Sequence, residues 1–586
     1  TMEAVATVTA VRATQAALAA LATLQLTAYL FPPQSDVAEE NPIPSYDYIV
    51  VGAGSAGCVI ARRLAEAHAH VLLIDAGGDP PVESVLPGLF PYIPSTQSDW
   101  NYTTTSDGNG AQFHNNKMID LTQGHMLGGG SSANFQVYVR GAPEDYWTWA
   151  RAAGDRSWEW EHLLPYFIKS ENMKDKQILH SRTGRLHSTH GYLGITRQLR
   201  DNIPRYLEAF EEVGKKTLLD NNAGETLGYL QPQYTIADGI RQSTAYGYLS
   251  HDKPDNLDLL KNTLVTRILF DKHKNAVGVE ALTEDSKTIK LIASVEVIVT
   301  AGGLNSPKLL MLSGLGPAEH LRSLGVPVVA DIPVIGSNLQ DHHSTFLLTK
   351  MQPSSEPEPP INPTGFPGSL MLGFGTTNTR QSYPDYETEN FVLTPNSTQL
   401  LQFCALTYTL NNEFCQSLYD AALGHETLLT FMNIMHPKSR GRVLLKSSDP
   451  RDKPLIDMNY YGDESDLDSM VDYIEDFLKV LDSSTFRDAG ASVVLPEVAG
   501  CDAAAGSREY WRCYVSRVTG TQYHYVGACA MGSVVNARLR VRGVGRLRVA
   551  DSSAIPTLTS GNINAPVIAL AEKAADIIKE DNDLLC

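Results

Sequence analysis

Between Tyr46 and Asp75 the chain spells out a strand, a glycine turn, a helix, a second strand and an acid, in that order. Tyr48 to Val51 is a short apolar run of the kind a buried parallel strand requires. Gly52, Gly54 and Gly57 follow as G-x-G-x-x-G, with Ser55 and Ala56 between them. Gly52 permits the tight turn, Gly54 lets a pyrophosphate approach the backbone, and Gly57 lets helix and strand pack closely. The helix start then offers free N–H groups to phosphate oxygens. Asp75 closes the second strand about 20 residues on, where a carboxylate accepts hydrogen bonds from a ribose. Ala76 follows it. The segment predicts dinucleotide binding and disfavours a 2′-phosphate, hence NADP. It does not choose between NAD and FAD.

At 586 residues the chain is too long for one simple core, so two closely joined domains are expected. Its formal charge of −19 argues against nucleic acid and against anionic membranes, both of which would repel it. Residues 4–31 are rich in Ala and Leu but interrupted by Arg12, so they read as a helix packed on the body rather than a membrane span. A remnant of a signal segment is the other reading.

Seven cysteines contain no C-x-x-C, which leaves no cysteine zinc site; no metal is expected. Cys404 with Cys415, and Cys501 with Cys513, are close enough to form local disulfides or to stay as free thiols. Cys58 and Cys529 read as buried thiols. Asn396-Ser397-Thr398 is a glycosylation sequon in a Pro-rich polar stretch, and Asn101-Tyr102-Thr103 is another beside Trp100.

Gly128, Gly129 and Gly130 precede Ser131, Ser132, Ala133 and Asn134. Such a run suits a backbone pressed on a flat ligand with its amides turned toward it. Residues 258–300 alternate as a strand meander that rejoins the nucleotide sheet. A helix is expected from Asn305-Ser306-Pro307 to Leu312. Residues 352–397, dense in Pro, Gly, Ser and Thr, read as a long functional loop. Gly520 to Gly527 reads as extended, which would turn Gln522 and His524 to one face and Tyr523 and Tyr525 to the other.

Five segments, in this order, resemble the glucose–methanol–choline (GMC) family of flavoproteins: the fingerprint at 52–57, Leu127 to Asn134, Ser306 to Gly316, Asn338 to His342, and Tyr523 to Asn564. The resemblance covers almost everything from Tyr46 to about Ile578, and the chain resembles secreted insect members of glucose dehydrogenase and ecdysone oxidase type. It implies a mixed α/β fold. A Rossmann-like FAD-binding domain (46–160, 240–345 and 516–586) would interleave with a substrate-binding domain (161–239 and 346–515) built on a six-stranded antiparallel sheet. Residues 1–45 would be a helical extension.

The same resemblance implies FAD, with Trp100, Val265, Ala550 and Asp551 joining the glycine turn, Asp75, Ala76, Gly128, Gly129, Ser132 and Asn134 around it. It makes His524 the catalytic histidine and Asn564 its partner, with Gln522 a candidate substrate contact. Relatives that bind FAD covalently use a histidine where Ala133 stands, so a non-covalent flavin is expected. Gln123 stands where a basic residue is usual, and Gly303 where Ala is usual.

The expected reaction is oxidation of an alcohol to a carbonyl: the flavin takes a hydride and the histidine takes the hydroxyl proton. The electron acceptor would be O₂ or another small molecule, and the location extracellular. The aromatic-rich 150–250 region and the 352–397 stretch favour a steroid or other bulky secondary alcohol. A sugar dehydrogenase, a cyanohydrin oxidase and an FAD-containing hydroxynitrile lyase are the alternatives.

Overall fold

The computed structural model describes residues 30–35, 45–105, 111, 113–250, 252–355, 357–358 and 360–584. The helix expected over 4–31 falls almost wholly outside them, as does Cys586. Phe31, at its end, packs into the first core.

Two sheets organise the molecule. The first runs in the order Leu257–Leu260, Val71–Ile74, Ser45–Val51, Thr288–Val299, Ala276–Leu282, Leu264–Phe270. Its first four strands are parallel and the last two turn back antiparallel, as the expected meander requires. Leu547–Val549 pairs parallel with Val297 to Val299, so the C-terminal region completes the sheet. Val71–Ile74 is buried at every position, which explains a run with no polar alternation. The helices Gly57–Glu66 and Asn564–Asp581 cover this sheet and are joined by Arg63 and Glu572, 2.8 Å apart.

The second sheet is antiparallel throughout. Its main path is Ser492–Val493, His343–Pro353, His425–Ile434, Tyr386–Leu393, Ser369–Gly375, Gly228–Leu230. These are the six strands anticipated, and Gly520–Thr521 adds a seventh short piece beside His343 and Ser344. That piece lies inside the 516–586 stretch assigned by sequence to the nucleotide-binding unit.

Three local expectations are corrected. Residues 352–397 are not one long loop, because Ser369–Gly375 and Tyr386–Leu393 are strands inside the second sheet. Their flanking Pro, Gly and Ser conceal two short apolar runs. The helix expected from Asn305 begins at Gly302, so Pro307 lies inside it as the sixth residue, where it removes one i→i−4 hydrogen bond. The segment 520–527 stops being a strand after Thr521: Tyr523 has φ of 60°, which breaks the two-residue alternation.

Both short-range cysteine pairs are disulfides, Cys404–Cys415 and Cys501–Cys513, while Cys58 and Cys529 are buried thiols. Away from the cleft, a buried ion cluster ties Arg140 to Glu171 at 2.8 Å, Glu171 to His187 at 3.0 Å and His187 to Asp220 at 3.0 Å.

Candidate functional site

One deep cleft lies between the two sheets and encloses about 1890 Å³ of space, counting its mouth. Its lining includes both the glycine turn and His524.

At one end stands the glycine turn. A Cβ at Gly52 would sit 2.6 Å from the Thr300 carbonyl, and one at Gly57 only 1.8 Å from that of Gly52. Both positions are closed by protein. Gly54 differs: a Cβ there meets nothing nearer than 3.9 Å, so this backbone faces open cleft. No side chain caps the helix that starts at Gly57; the Cys58 N–H turns back to the Gly54 carbonyl at 3.2 Å, and the N–H groups ahead of it are left for a ligand. Asp75 accepts hydrogen bonds from the amides of Ala53 and Gly77, each at 2.7 Å. Burial pushes its pKa up to about 6. These features fit a bound pyrophosphate with its ribose.

In the middle, Gly129 comes within van der Waals reach of Gly54, and Asn134 and Ala133 also line the cleft. Arg241, fully buried, donates to the Asn134 carbonyl and side chain at 2.8 and 2.7 Å and to the Ser131 carbonyl at 3.2 Å. It holds the turn's shape from behind. Asp551 bridges Gly302 N and Ser306 Oγ on one side and Ser553 on the other. Gln123 lines the cleft with its Oε1 buried and unpartnered, an acceptor free for a ligand N–H. The departure at Gly303 has a local reason: a Cβ there would lie 2.3 Å from the Tyr525 carbonyl.

At the far end His524 is buried against the cleft. Its backbone N–H donates to Asp341 Oδ1 at 2.8 Å. The other oxygen of Asp341 accepts from Tyr460 OH at 2.7 Å and Thr521 Oγ1 at 2.5 Å. The ring Nδ1 atoms of His524 and His342 are 2.8 Å apart, one donating to the other, with the rings edge to face. Burial draws the His524 pKa down to about 3 and that of His342 well below the imidazole range. Both rings are therefore neutral near pH 7.

In the second sheet, the strand Tyr386–Leu393 turns two buried carboxyls, Glu387 and Glu389, to one face. Glu389 lines the cleft; burial raises its pKa to about 7, opposed by a hydrogen bond from Asn562. Asn562 also lines the cleft, and its buried Oδ1 has no partner. Asp145 fixes the loop that carries it, accepting from Ser560 N at 2.7 Å and Ser560 Oγ at 2.9 Å.

The sequence-derived residues separate into three groups. Gly52, Gly54, Ser55, Ala56, Asp75, Ala76, Trp100, Gly129, Asn134, Val265 and Asp551 line the cleft together with Gln522 and His524. Gly57, Gly128, Ser132 and Ala550 do not: they are the scaffold behind it. Ser132 Oγ, for example, is spent on the Leu127 carbonyl at 2.7 Å, and Ala550 N on that of Val299 at 3.0 Å. Asn564 lies along the cleft at the glycine turn, where its Oδ1 accepts from Ser55 Oγ at 3.0 Å. That contact engages the turn, not His524; the asparagine beside the acid-lined wall is Asn562. Gln522 shares the cleft with His524, but its amide is held by Asn433 Oδ1 at 2.8 Å and Ser344 Oγ at 3.2 Å.

Sequence reading missed Asp341, His342, Glu389 and Asn562. Asp341 and His342 sit in a segment already singled out, and Asn562 lies two residues before the asparagine chosen. Only Glu389 had no local signal.

The family models agree with this geometry. The N-terminal GMC oxidoreductase model matches residues 46–344 and the C-terminal one residues 437–571. Among curated proteins the chain is 36% identical over 553 residues to ecdysone oxidase of Bombyx mori, covering 91% of this chain and 82% of that one. It is 34% identical over 561 residues to glucose dehydrogenase [FAD, quinone] of Drosophila melanogaster, covering 92% and 87%. Among solved structures, pyridoxine 4-oxidase of Mesorbium loti superimposes with a TM-score of 0.77 at 27% identity, over 91% of this chain and 98% of that one.

Proposed function

The chain belongs to the GMC oxidoreductase family and is an FAD-dependent oxidoreductase acting on alcohols; from that premise we propose that His524 is its base, Asn562 the partner of that base, and a bulky secondary alcohol of steroid type its substrate. The observation that carries the residue assignment is a buried, neutral imidazole on the cleft wall, held through its backbone N–H by Asp341 and through its ring Nδ1 by the neutral His342.

Bound FAD supplies the hydride acceptor. The protein's own part is to take and hold a proton. If His524 Nδ1–H donates to His342 Nδ1, the Nε2 lone pair of His524 is free to receive the hydroxyl proton. Asp341 fixes the ring's position through the backbone, so little reorganisation is needed. Asn562 offers an amide at the opposite wall to orient the alcohol oxygen, its own position set by Glu389 and by the Asp145-anchored loop. The buried surroundings exclude water and keep the proton between these groups.

Gly54, the Gly57 helix start, Asp75, Asn134, Asp551 and Gln123 are the residues that would hold FAD. Ala133 carries no group able to bond to it, which supports a non-covalent flavin. O₂ or another small acceptor would reoxidise it. Two disulfides and an exposed Asn396 within its sequon support an oxidising, extracellular location and glycosylation. Asn101 is unsuited to modification, because its amide already donates to the Thr96 and Asp99 carbonyls.

The test is anaerobic mixing of the yellow holoenzyme with steroid, benzylic, sugar and cyanohydrin alcohols, followed by air. Bleaching by a steroid alcohol in preference to a sugar supports the reading. Bleaching by glucose alone transfers the assignment to a sugar dehydrogenase, and cyanohydrin cleavage without bleaching to a lyase.

A further inference from the structure

A second cavity adjoins the cleft. Phe90, Pro91 and Thr407 line both, so these three residues form the sill between the two spaces. Beyond the sill, Ile361, Phe366 and Phe403 contribute apolar walls beside the polar Asn362, Gln399 and Gln402. The aromatic surface is continuous: Phe135, on the cleft side, lies 4.5 Å from Phe90, which stacks on Phe366 at 5.8 Å.

This outer chamber is built rather than left over. Its roof, around residues 361–368, is bonded on three sides. Gly88 N donates to the Pro363 carbonyl at 3.0 Å, Phe366 N to Gln198 Oε1 at 2.7 Å, and Arg200 Nη2 to the Phe366 carbonyl at 2.7 Å. Another wall is the π-helical turn Gln402–Thr407, and the Cys404–Cys415 disulfide ties that turn to the helix Asn412–Ala422. Rings held this rigidly lose little freedom when a flat apolar ligand settles on them.

We propose that the chamber receives the non-reacting ring system of a large, flat, apolar alcohol while the carbinol carbon lies across the sill near His524. It rests on the alcohol-oxidising reading and gives that reading a size requirement: binding strength should grow with apolar surface carried past Phe90 and Thr407.

The experiment compares 5α-androstan-3β-ol with cyclohexanol, two secondary carbinols differing in their distal rings, on the holoenzyme. The ratio of their kcat/KM values should exceed about tenfold in favour of the four-ring alcohol, as loss of a filled apolar pocket typically costs. Ile361→Glu, at a half-buried wall position, should cut that ratio about tenfold, and Ile361→Leu should restore it. Titration with 5α-androstan-3-one, which has no hydroxyl to oxidise, is followed by the flavin absorbance and should show the same order of affinities. An unchanged ratio together with unchanged ketone affinity in Ile361→Glu overturns the proposal. If neither alcohol reduces the flavin, the alcohol reading falls, and the ketone titration alone still decides the chamber.

Discussion

His187 and His524 are both buried, yet they are held in opposite charge states. Burial alone pulls an imidazole toward neutrality. At His187 that pull is outweighed by Asp220 and Glu171, one carboxylate on each ring nitrogen, and the pKa ends above its ordinary value. Arg140 balances the second anion, so two cations face two anions. His524 has only a neutral histidine at its ring, and its pKa falls to about 3. The ion cluster clamps the chain; the cleft leaves a proton acceptor unspent. A buried histidine is thus defined by what stands beside its two nitrogens.

The sharpest way to break this comparison is at the cleft. His524→Ala should keep the fold and bound FAD but slow flavin reduction by ~10²–10⁴, measured by stopped flow with a saturating alcohol. Near-normal reduction would sink the base assignment. His187→Ala should do the reverse. It strands the buried Asp220 carboxylate, Glu171 keeping Arg140, and should cost about 3–5 kcal/mol of stability, seen as a lower denaturation midpoint, with the per-flavin reduction rate of the folded fraction little changed.

Acidity sharpens the same contrast. His187 has a raised folded-state pKa, so its contribution is complete below the unfolded value and is lost as pH rises through the folded one. His524 has a lowered one. Its unfolded form takes up a proton below about 6.5 while the folded form does not until about 3, so stability falls as pH drops through that window. Each slope is at most about 1.4 kcal/mol per pH unit. Denaturation curves against pH should lose part of the acid-side slope in His524→Ala, with His342 keeping its share, and part of the alkaline-side slope in His187→Ala. If both variants change the same limb, the assigned charge states are wrong.

The smallest effects separate the two asparagines. Asn562→Ala should slow flavin reduction, whereas Asn564→Ala removes one hydrogen bond from Ser55 and should weaken FAD retention by about 1 kcal/mol. FAD release on dilution reports the second. If the two variants exchange these phenotypes, the sequence-based choice of Asn564 was right.

That asparagine shows where sequence reading stops. The glycine turn was legible because every residue that makes it work lies within about thirty positions, and strand, turn and acid have their own periodicities. The His524 end is assembled from residues 341, 342, 389, 460, 524 and 562, and no period links them. Asn562 and Asn564 differ by two positions, but the helix Asn564–Asp581 starts between them and turns the later one back onto Ser55. Glu389 was concealed for another reason: its strand lies in a stretch whose Pro and Gly content signals a loop, although all eight residues of Tyr386–Leu393 are buried.

The pairing of Leu547–Val549 with Val297 to Val299 has a consequence during synthesis. From Val299 to Leu547 the ribosome adds 248 residues, which at 5–20 residues per second takes roughly 12–50 s. Throughout that interval one edge of the nucleotide-binding sheet has no neighbour, and unpaired parallel edges are where nascent chains associate wrongly. A message truncated just before Leu547 would yield a chain holding the complete glycine turn and His524 but lacking the strand that closes the sheet, a product destined for quality control rather than for partial activity.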